Sequence, residues 1–390
     1  MIYRDYLIVG AGLAGARACE GIREFDKKGS VTLIGCETFL PYARPPLSKS
    51  FLTNGKTAED LRILSPTWFQ KNKIELRLDT TVVAFDITRR LAVLQNGQTI
   101  EFNKALIATG SRPRKPNVAG ATLGNVFYLN SVRDGMAIKE VVALAKEIII
   151  IGGGTIALET AAVFHAANVK VTLMNRNQQL WQKRLDPETS KWLTKFFENH
   201  GVRLMMLEDI NGFEGKTVLR NIQTKSGNRF PANMALVAVG AEPNIELVAN
   251  TSLSSPNGTP VNEYLETDEK GIFAAGDIAL YPDKTFGGVR RGCHWDCANE
   301  QGRIAGANMT GKKRIRFDYV PFYSSALFDL HLDFVGDFTR PPGSCQIEGS
   351  YDRRKFILRY LNGNKLSGVI LCNQDAAKLK AARQEVRQNQ

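Results

Sequence analysis

The run Tyr6-Leu7-Ile8-Val9-Gly10-Ala11-Gly12-Leu13-Ala14-Gly15 leaves the start of this chain few folds to choose from. A short apolar stretch breaks into glycines and then opens a helical pattern, which reads as strand, tight turn and helix. Gly10 permits the turn, Gly12 lets the backbone approach a pyrophosphate with no side chain in the way, and Gly15 lets the helix pack closely on the strand. The helix start offers free N–H groups and the positive end of a dipole to an anion. One such turn is a weak signal, because glycine-rich turns also arise for structural reasons alone. A second copy strengthens it: Glu147-Ile148-Ile149-Ile150-Ile151-Gly152-Gly153-Gly154-Thr155-Ile156-Ala157-Leu158-Glu159 repeats the pattern, with Ala157 where the third glycine would stand. Each copy is followed by a further strand, Ser30 to Ile34 and Lys170 to Met174, as the motif requires. Two dinucleotides in one chain are the expectation.

At 390 residues the chain is too long for one ordinary core, so two or three domains are expected. No apolar run approaches membrane-spanning length, and the first strand begins too early to leave space for a signal peptide, so a cytoplasmic location is expected. The cysteines, Cys19, Cys36, Cys293, Cys297, Cys345 and Cys372, have neither disulfide-scaffold nor zinc-ribbon spacing and read as reduced thiols. The histidines, His165, His200, His294 and His331, show no ligand spacing, and no metal site is expected. A net charge of +12 favours acidic partners.

Along the chain, Glu37 follows the second strand where a dinucleotide fold places an acid on the adenosine ribose. In Leu40-Pro41-Tyr42-Ala43-Arg44-Pro45-Pro46-Leu47-Ser48-Lys49 the prolines fix φ, so that Arg44 and Lys49 are held in set directions; a solvated proline-rich turn is the alternative. Residues 74–107 alternate as strands around a turn at Asn96-Gly97 and end in Ala108-Thr109-Gly110-Ser111, suited to a backbone crossing beneath a ligand. Ala235 to Gly240 forms a comparable closing strand. The apolar segment ending in Gly276-Asp277 places Asp277 to bind a polyol hydroxyl or to cap a following helix. Asp375 to Gln390 reads as a polar surface helix or frayed tail.

Taken in order, Gly10-x-Gly12-x-x-Gly15, the Leu40 to Lys49 segment, Ala108-Thr109-Gly110, Gly152-Gly153-Gly154-x-x-Ala157-x-Glu159, Ala275-Gly276-Asp277 and His294-Trp295-x-x-Ala298-x-x-Gln301-Gly302 resemble the FAD-dependent pyridine nucleotide oxidoreductases. The resemblance is nearest to the ferredoxin/rubredoxin (putidaredoxin) reductase family, with apoptosis-inducing factor more distantly similar. It implies an α/β fold of two Rossmann-like dinucleotide-binding domains, glutathione-reductase-like, plus a smaller α+β C-terminal domain. Residues 1–112 and 246–318 would form a discontinuous FAD-binding domain, 113–245 the NAD(P)H-binding domain and 319–390 the C-terminal one.

The resemblance also implies roles. FAD would lie along the first fold, with Gly10, Gly12, Ala14 and Gly15 at its pyrophosphate, Glu37 at a ribose, and Asp277 with Gly276 at the ribityl chain. Val83, Ala108, Thr109, Gly110, Arg44, Arg112 and His294 would add contacts. Lys49 and Glu159 would meet beside the flavin N5 edge as a paired buried carboxylate and ammonium, and Trp295 would stack near the nicotinamide. Gly152, Gly154, Thr155, Ile156, Val239 and Gly240 would hold the second nucleotide. No carboxylate stands at the end of the second-fold strand, where Asn175 and Arg176 are found; Arg176, assisted by Arg184 and Lys183, suits the 2′-phosphate of NADPH, with NADH the alternative. Ala157 and the order Leu173-Met174-Asn175-Arg176 likewise resemble NADPH-using glutathione reductases.

The implied reaction carries electrons from NAD(P)H through FAD to an acidic ferredoxin or rubredoxin, by a monomer or homodimer acting without membrane or nucleic acid. A small acceptor (quinone, monodehydroascorbate or oxygen) and a redox-sensing nucleic-acid-binding role are the alternatives. Without Cys-x4-Cys after the first helix or any Cys-x-x-Cys, disulfide reduction is not expected, and Cys293 and Cys297 read as small apolar residues or, less simply, a redox pair. Basic residues cluster at Arg290-Arg291, Lys312-Lys313-Arg314-x-Arg316 and, in the C-terminal domain, Arg353-Arg354-Lys355; the resemblance implies that the first two groups form a docking rim, with solvated loops the alternative.

Overall fold

In a computed structural model, which describes residues 2–53 and 55–389, the opening apolar run forms the strand Ile2–Val9. Contacts divide the chain into two units. The first comprises Met1–Ala43, Ala58–Arg112 and Glu242–Pro321; the second comprises Arg44–Thr57, Pro113–Ala241 and Phe322–Gln390.

In the first unit, Ile2–Val9 lies between parallel neighbours Val31–Ile34 and Thr99–Ile107, and Ile74–Arg77 continues the parallel set beyond Val31–Ile34. Tyr6 to Val9 are buried, because a central parallel strand is covered on both faces and reads as an unbroken apolar run. Ile272–Ala274 adds in parallel to the far end of Thr99–Ile107, while Leu91–Leu94 and Val82–Asp86 extend its near end antiparallel. The register slips between Val82 and Ala84, and Val83 is left 57% exposed.

The first glycine turn feeds the helix Leu13–Phe25, which packs on Trp295–Met309 with almost no side chain between the backbones. A Cβ on Gly302 would stand 2.3 Å from the Ala14 carbonyl oxygen, and one on Gly306 2.2 Å from that of Ala18. Gly302, which ends the His294 to Gly302 motif, is thus a close-packing residue. Asp277 caps no helix, since the strand Ala279–Pro282 follows it; of the two roles open to it in the sequence, the cap is excluded.

The second unit repeats the plan. Its parallel sheet runs Arg203–Met206, Lys170–Asn175, Glu147–Ile151, Ala235–Val237, Val126–Phe127. The helix Thr155–Ala166 follows the second glycine turn. An antiparallel sheet of Phe322–Leu327, Leu330–Gly336, Lys365–Cys372, Lys355–Asn362 and Ser344–Ser350 ends the chain with the helix Ala376–Gln388. This sheet is tied to the helix Pro187–Asn199 by Asp186. The Asp186 carboxylate accepts from the N–H of Glu188 and Thr189 and from Tyr360 Oη at 2.7 Å. Burial would raise that carboxyl, but these hydrogen bonds outweigh it and hold it low. Trp192 stacks on Tyr351 with centroids 5.1 Å apart, a pair worth about 0.5–1.5 kcal/mol beyond burial. Among the described residues no helix is long and apolar enough to cross a membrane.

Candidate active site

At the first turn Gly10 has φ +119°, and a Cβ there would lie 2.0 Å from the Ala108 carbonyl oxygen. Gly12 is the N-cap of Leu13–Phe25, with no side chain capping it and nothing within 4 Å of a built Cβ. The first amides of the helix therefore face open space, with the dipole behind them. Around this turn the first unit gathers the other predicted residues. Thr109 Oγ1 donates to the Asn244 carbonyl at 2.9 Å and Asn244 Nδ2 returns a bond to the Thr109 carbonyl at 2.8 Å, fixing the crossing backbone. Ser111 Oγ donates to Asp277 Oδ2 at 2.6 Å. Gln301, fully buried, accepts from the Gly276 N–H at 2.7 Å, while its Nε2 finds no protein partner.

Glu37 is half-buried at the end of Val31–Ile34, and one of its carboxylate oxygens accepts from Tyr42 Oη at 2.6 Å. His294 caps the helix Trp295–Met309, and Trp295 is its first residue. Arg112 is tied to Glu242, Asn244 and Glu246, all in the same unit. Cys297 is buried against Gly292, whose built Cβ would be 2.3 Å from its Sγ, and burial pushes its thiol well up; all six cysteines are free. Cys297 packs as a small apolar residue, with no thiolate character. Arg290 departs from the expected rim: only 17% of its side chain is exposed, and its Nε bonds Asp283 at 2.5 Å. Lys312, Lys313, Arg314 and Arg316 are exposed, although Arg316 pairs with Glu263.

The second turn copies the first. Gly152 has φ +129°, with the Ala238 carbonyl oxygen 2.2 Å from a built Cβ, and Gly154 caps Thr155–Ala166 with open space before it. Asn175, buried at the end of Lys170–Asn175, lies against Gly153 and leaves its Nδ2 without a protein partner; Arg176 next to it is exposed. Arg184 neighbours Tyr323, whose hydroxyl burial pushes up to about 12 against the pull of that guanidinium. Val239 is 37% exposed and precedes Gly240 at φ +117°.

Within the second unit, Glu159 is 2% exposed on Thr155–Ala166 and accepts from Lys49 Nζ at 2.8 Å. Ser48 Oγ, at 2.5 Å, and Ser325 Oγ, at 2.8 Å, also donate to it. A carboxylate so buried keeps its charge only when paired and hydrogen-bonded, and three donors meet that demand. Arg44 is in the same unit and donates to the Asn130 carbonyl.

The residues of both turns fit a dinucleotide: an uncapped helix start, a glycine with no side chain to obstruct approach, and a buried amide nitrogen left unpaired nearby (Gln301 in one, Asn175 in the other). Among the described residues no group of three or more His, Cys, Asp or Glu is placed to hold a metal. Ser111, Asn244 and Ser325 carried no sequence signal, because each acts through a partner more than a hundred positions away.

The model of one protein family, described as pyridine nucleotide-disulphide oxidoreductase, matches residues 4–302. Putidaredoxin reductase CamA of Pseudomonas putida is 30% identical over 376 residues, spanning 95% of this chain and 89% of that protein. Rhodocoxin reductase of Rhodococcus erythropolis is 31% identical over 371 residues, spanning 94% and 86%. Rubredoxin-NAD(+) reductase of Pseudomonas putida is 31% identical over 292 residues, spanning 73% and 74%. Among solved structures, the reductase in a covalent putidaredoxin reductase–putidaredoxin complex superposes with a TM-score of 0.93 at 28% identity, covering 99% of this chain and 93% of that one.

Proposed function

This chain belongs to the pyridine nucleotide-disulphide oxidoreductase family, whose members work with FAD and NAD(P)H, and from that premise we propose that it passes electrons from NADPH to an acidic iron–sulfur protein of the ferredoxin or rubredoxin kind. The observation that carries the reading is the pair of matching glycine turns, each with an open helix start, in a chain whose relatives are named as reductases of small electron-transfer proteins. When bound, FAD supplies the chemistry that links two-electron hydride transfer to single-electron release.

The protein's part is to bind, orient and stabilise. In this reading the amides of the first turn and the dipole of Leu13–Phe25 hold the FAD pyrophosphate, Glu37 receives the ribose, and Asp277, steadied by Ser111, receives the ribityl chain. The second turn holds the nicotinamide nucleotide, and Arg176 with Arg184 selects the 2′-phosphate. Lys49, kept in place by Glu159, supplies a fixed positive charge to the electron-rich reduced ring, and Trp295 covers the nicotinamide. The domain assignment is part of the proposal: 1–112 and 246–318 for FAD, 113–245 for the nicotinamide nucleotide, 319–390 as the C-terminal domain. A cytoplasmic setting agrees with six free cysteines.

Docking of the acidic partner falls to Lys312, Lys313 and Arg314, because Arg290 is committed to Asp283. If docking is electrostatic, reduction of an acidic ferredoxin slows steeply as salt shortens the Debye length below about 10 Å, while reduction of a neutral quinone hardly changes. Charge reversal at Lys312, Lys313 and Arg314 reproduces the salt effect at low ionic strength. Equal responses of the two acceptors would reject the protein partner in favour of a small molecule.

A further inference from the structure

The two oxygens of Glu159 are held from different parts of the chain. Oε2 accepts from Lys49 Nζ and Ser48 Oγ, and Oε1 accepts from Ser325 Oγ. Ser48 and Ser325 are 6% and 1% exposed and lie 111 and 166 positions from Glu159. Ser325 shares the buried face of Phe322–Leu327 with Leu327, where an aliphatic side chain would satisfy packing alone. A hydroxyl on that face is costly unless it is hydrogen-bonded, and the bond it makes is to the carboxylate that holds Lys49.

We propose that Ser325 and Ser48 are positioning residues for the Lys49–Glu159 pair: Ser325 clamps Oε1, and Ser48 shares Oε2 with the ammonium, so that the carboxylate meets Lys49 in a single orientation. This rests on the reading that the pair serves the reduced flavin. The terminal torsion of a glutamate is broad and roughly two-fold, so a carboxylate held at one oxygen alone can turn about it. Ser325 at Oε1 removes that freedom, and Ser48 fixes the direction in which Oε2 meets the ammonium. Lys49, with 29% of its side chain exposed and a flexible four-carbon stem, takes its position from the partner it meets. The C-terminal segment thereby acts on the charge of Lys49 through Glu159.

The test uses the FAD-loaded full chain. Ser325→Ala should lower the rate constant for flavin reduction at saturating NADPH about tenfold, the scale of one hydrogen bond to a charged group. It should make the flavin midpoint potential more negative and leave the dissociation constant for NADPH unchanged. Ser325→Thr, which returns the hydroxyl, should restore rate and potential. If Ser325→Ala fails to retain FAD, Ser48→Ala decides by the same two measurements. Glu159→Gln separates the inference from its premise. Unchanged rate and potential in Glu159→Gln would reject the role of the pair; a changed Glu159→Gln beside wild-type behaviour in Ser325→Ala and Ser48→Ala would reject the positioning role alone.

Discussion

At Gly10 and at Gly152 the backbone turns with φ of +119° and +129°, and a Cβ in either place would be driven into a carbonyl oxygen, that of Ala108 or Ala238. Two residues later Gly12 and Gly154 each cap a helix with nothing in front of them. Beyond this the copies diverge. A Cβ on Gly15 would stand 2.0 Å from the Gly10 carbonyl oxygen, whereas the second copy accommodates the methyl of Ala157 in full burial. The first following strand ends before Cys36-Glu37 and the second ends in Asn175, before Arg176. In the proposed reading, phosphate approach imposes the shared part, since every dinucleotide presents the same pyrophosphate, and the divergent part is free to select what lies at either side of it.

The sharpest break of that likeness is an exchange at the third position. Gly15→Ala should cost about 4 kcal/mol and give colourless protein, because turn or helix must move to admit the methyl. Ala157→Gly should cost only about 1–2 kcal/mol, from a lost buried methyl and a looser helix interior. Thermal melts and flavin absorbance measure both, and equal costs would show that the two turns pack alike.

Next in size, valine at the open positions should divide the two nucleotides. Gly12→Val is expected to be colourless, and Gly154→Val yellow with NADPH bound about 100-fold more weakly, or about 2.7 kcal/mol. Flavin absorbance and NADPH titration read the outcome; a Gly154→Val protein that has also lost its flavin would mean the turns are not independent sites.

At the divergent strand ends, Arg176→Ala should lower the ratio of kcat/KM for NADPH over NADH by about 10–100-fold, through loss of charge-assisted bonds to the 2′-phosphate. A wild-type preference for NADH, unaltered in Arg176→Ala, would overturn the NADPH assignment.

The smallest effect concerns how each copy's helix ends. Asp26, after Leu13–Phe25, accepts from the N–H of Lys28 and Gly29 and from Tyr6 Oη. Burial alone would raise its carboxyl, but these bonds outweigh it and hold it at about 2. A depressed acid contributes stability that is complete above its unfolded value of about 3.9 and lost as pH falls through the folded one. Asp26→Asn should therefore melt below wild type by about 1 kcal/mol near neutrality, with the gap closing between about pH 4 and pH 2. The second helix is followed instead by Asn168 in the left-handed region at φ +61°, with no such carboxylate to lose. A gap that ignores pH would assign the Asp26 contribution to shape.

Much of the fold was legible because its determinants are local. An apolar run ending in glycines forces a strand and a turn wherever it occurs, and the strand alternation around Asn96-Gly97 appears as the antiparallel set beside Thr99–Ile107. The pairing of Lys49 with Glu159 was legible only through resemblance, since nothing in either segment's periodicity points to the other. Arg290 departs from the expected rim for a related reason. A charge run looks solvated until a hairpin brings Asp283 beneath it.

By itself, then, the sequence determined the two strand–turn–helix units, the glycine turns that open each helix, and the lack of a carboxylate at Asn175–Arg176. Each is set within a few residues by steric limits on φ and by the glycines that escape them. Tertiary structure alone decided that Glu159 accepts from serines of two distant segments, that Gln301 reaches the Gly276 amide, and that half-buried Arg290 is paired with buried Asp283. A hydrogen bond is satisfied by whichever donor the packed chain delivers within about 3 Å, and that delivery depends on how strands and helices stack rather than on any neighbour in sequence.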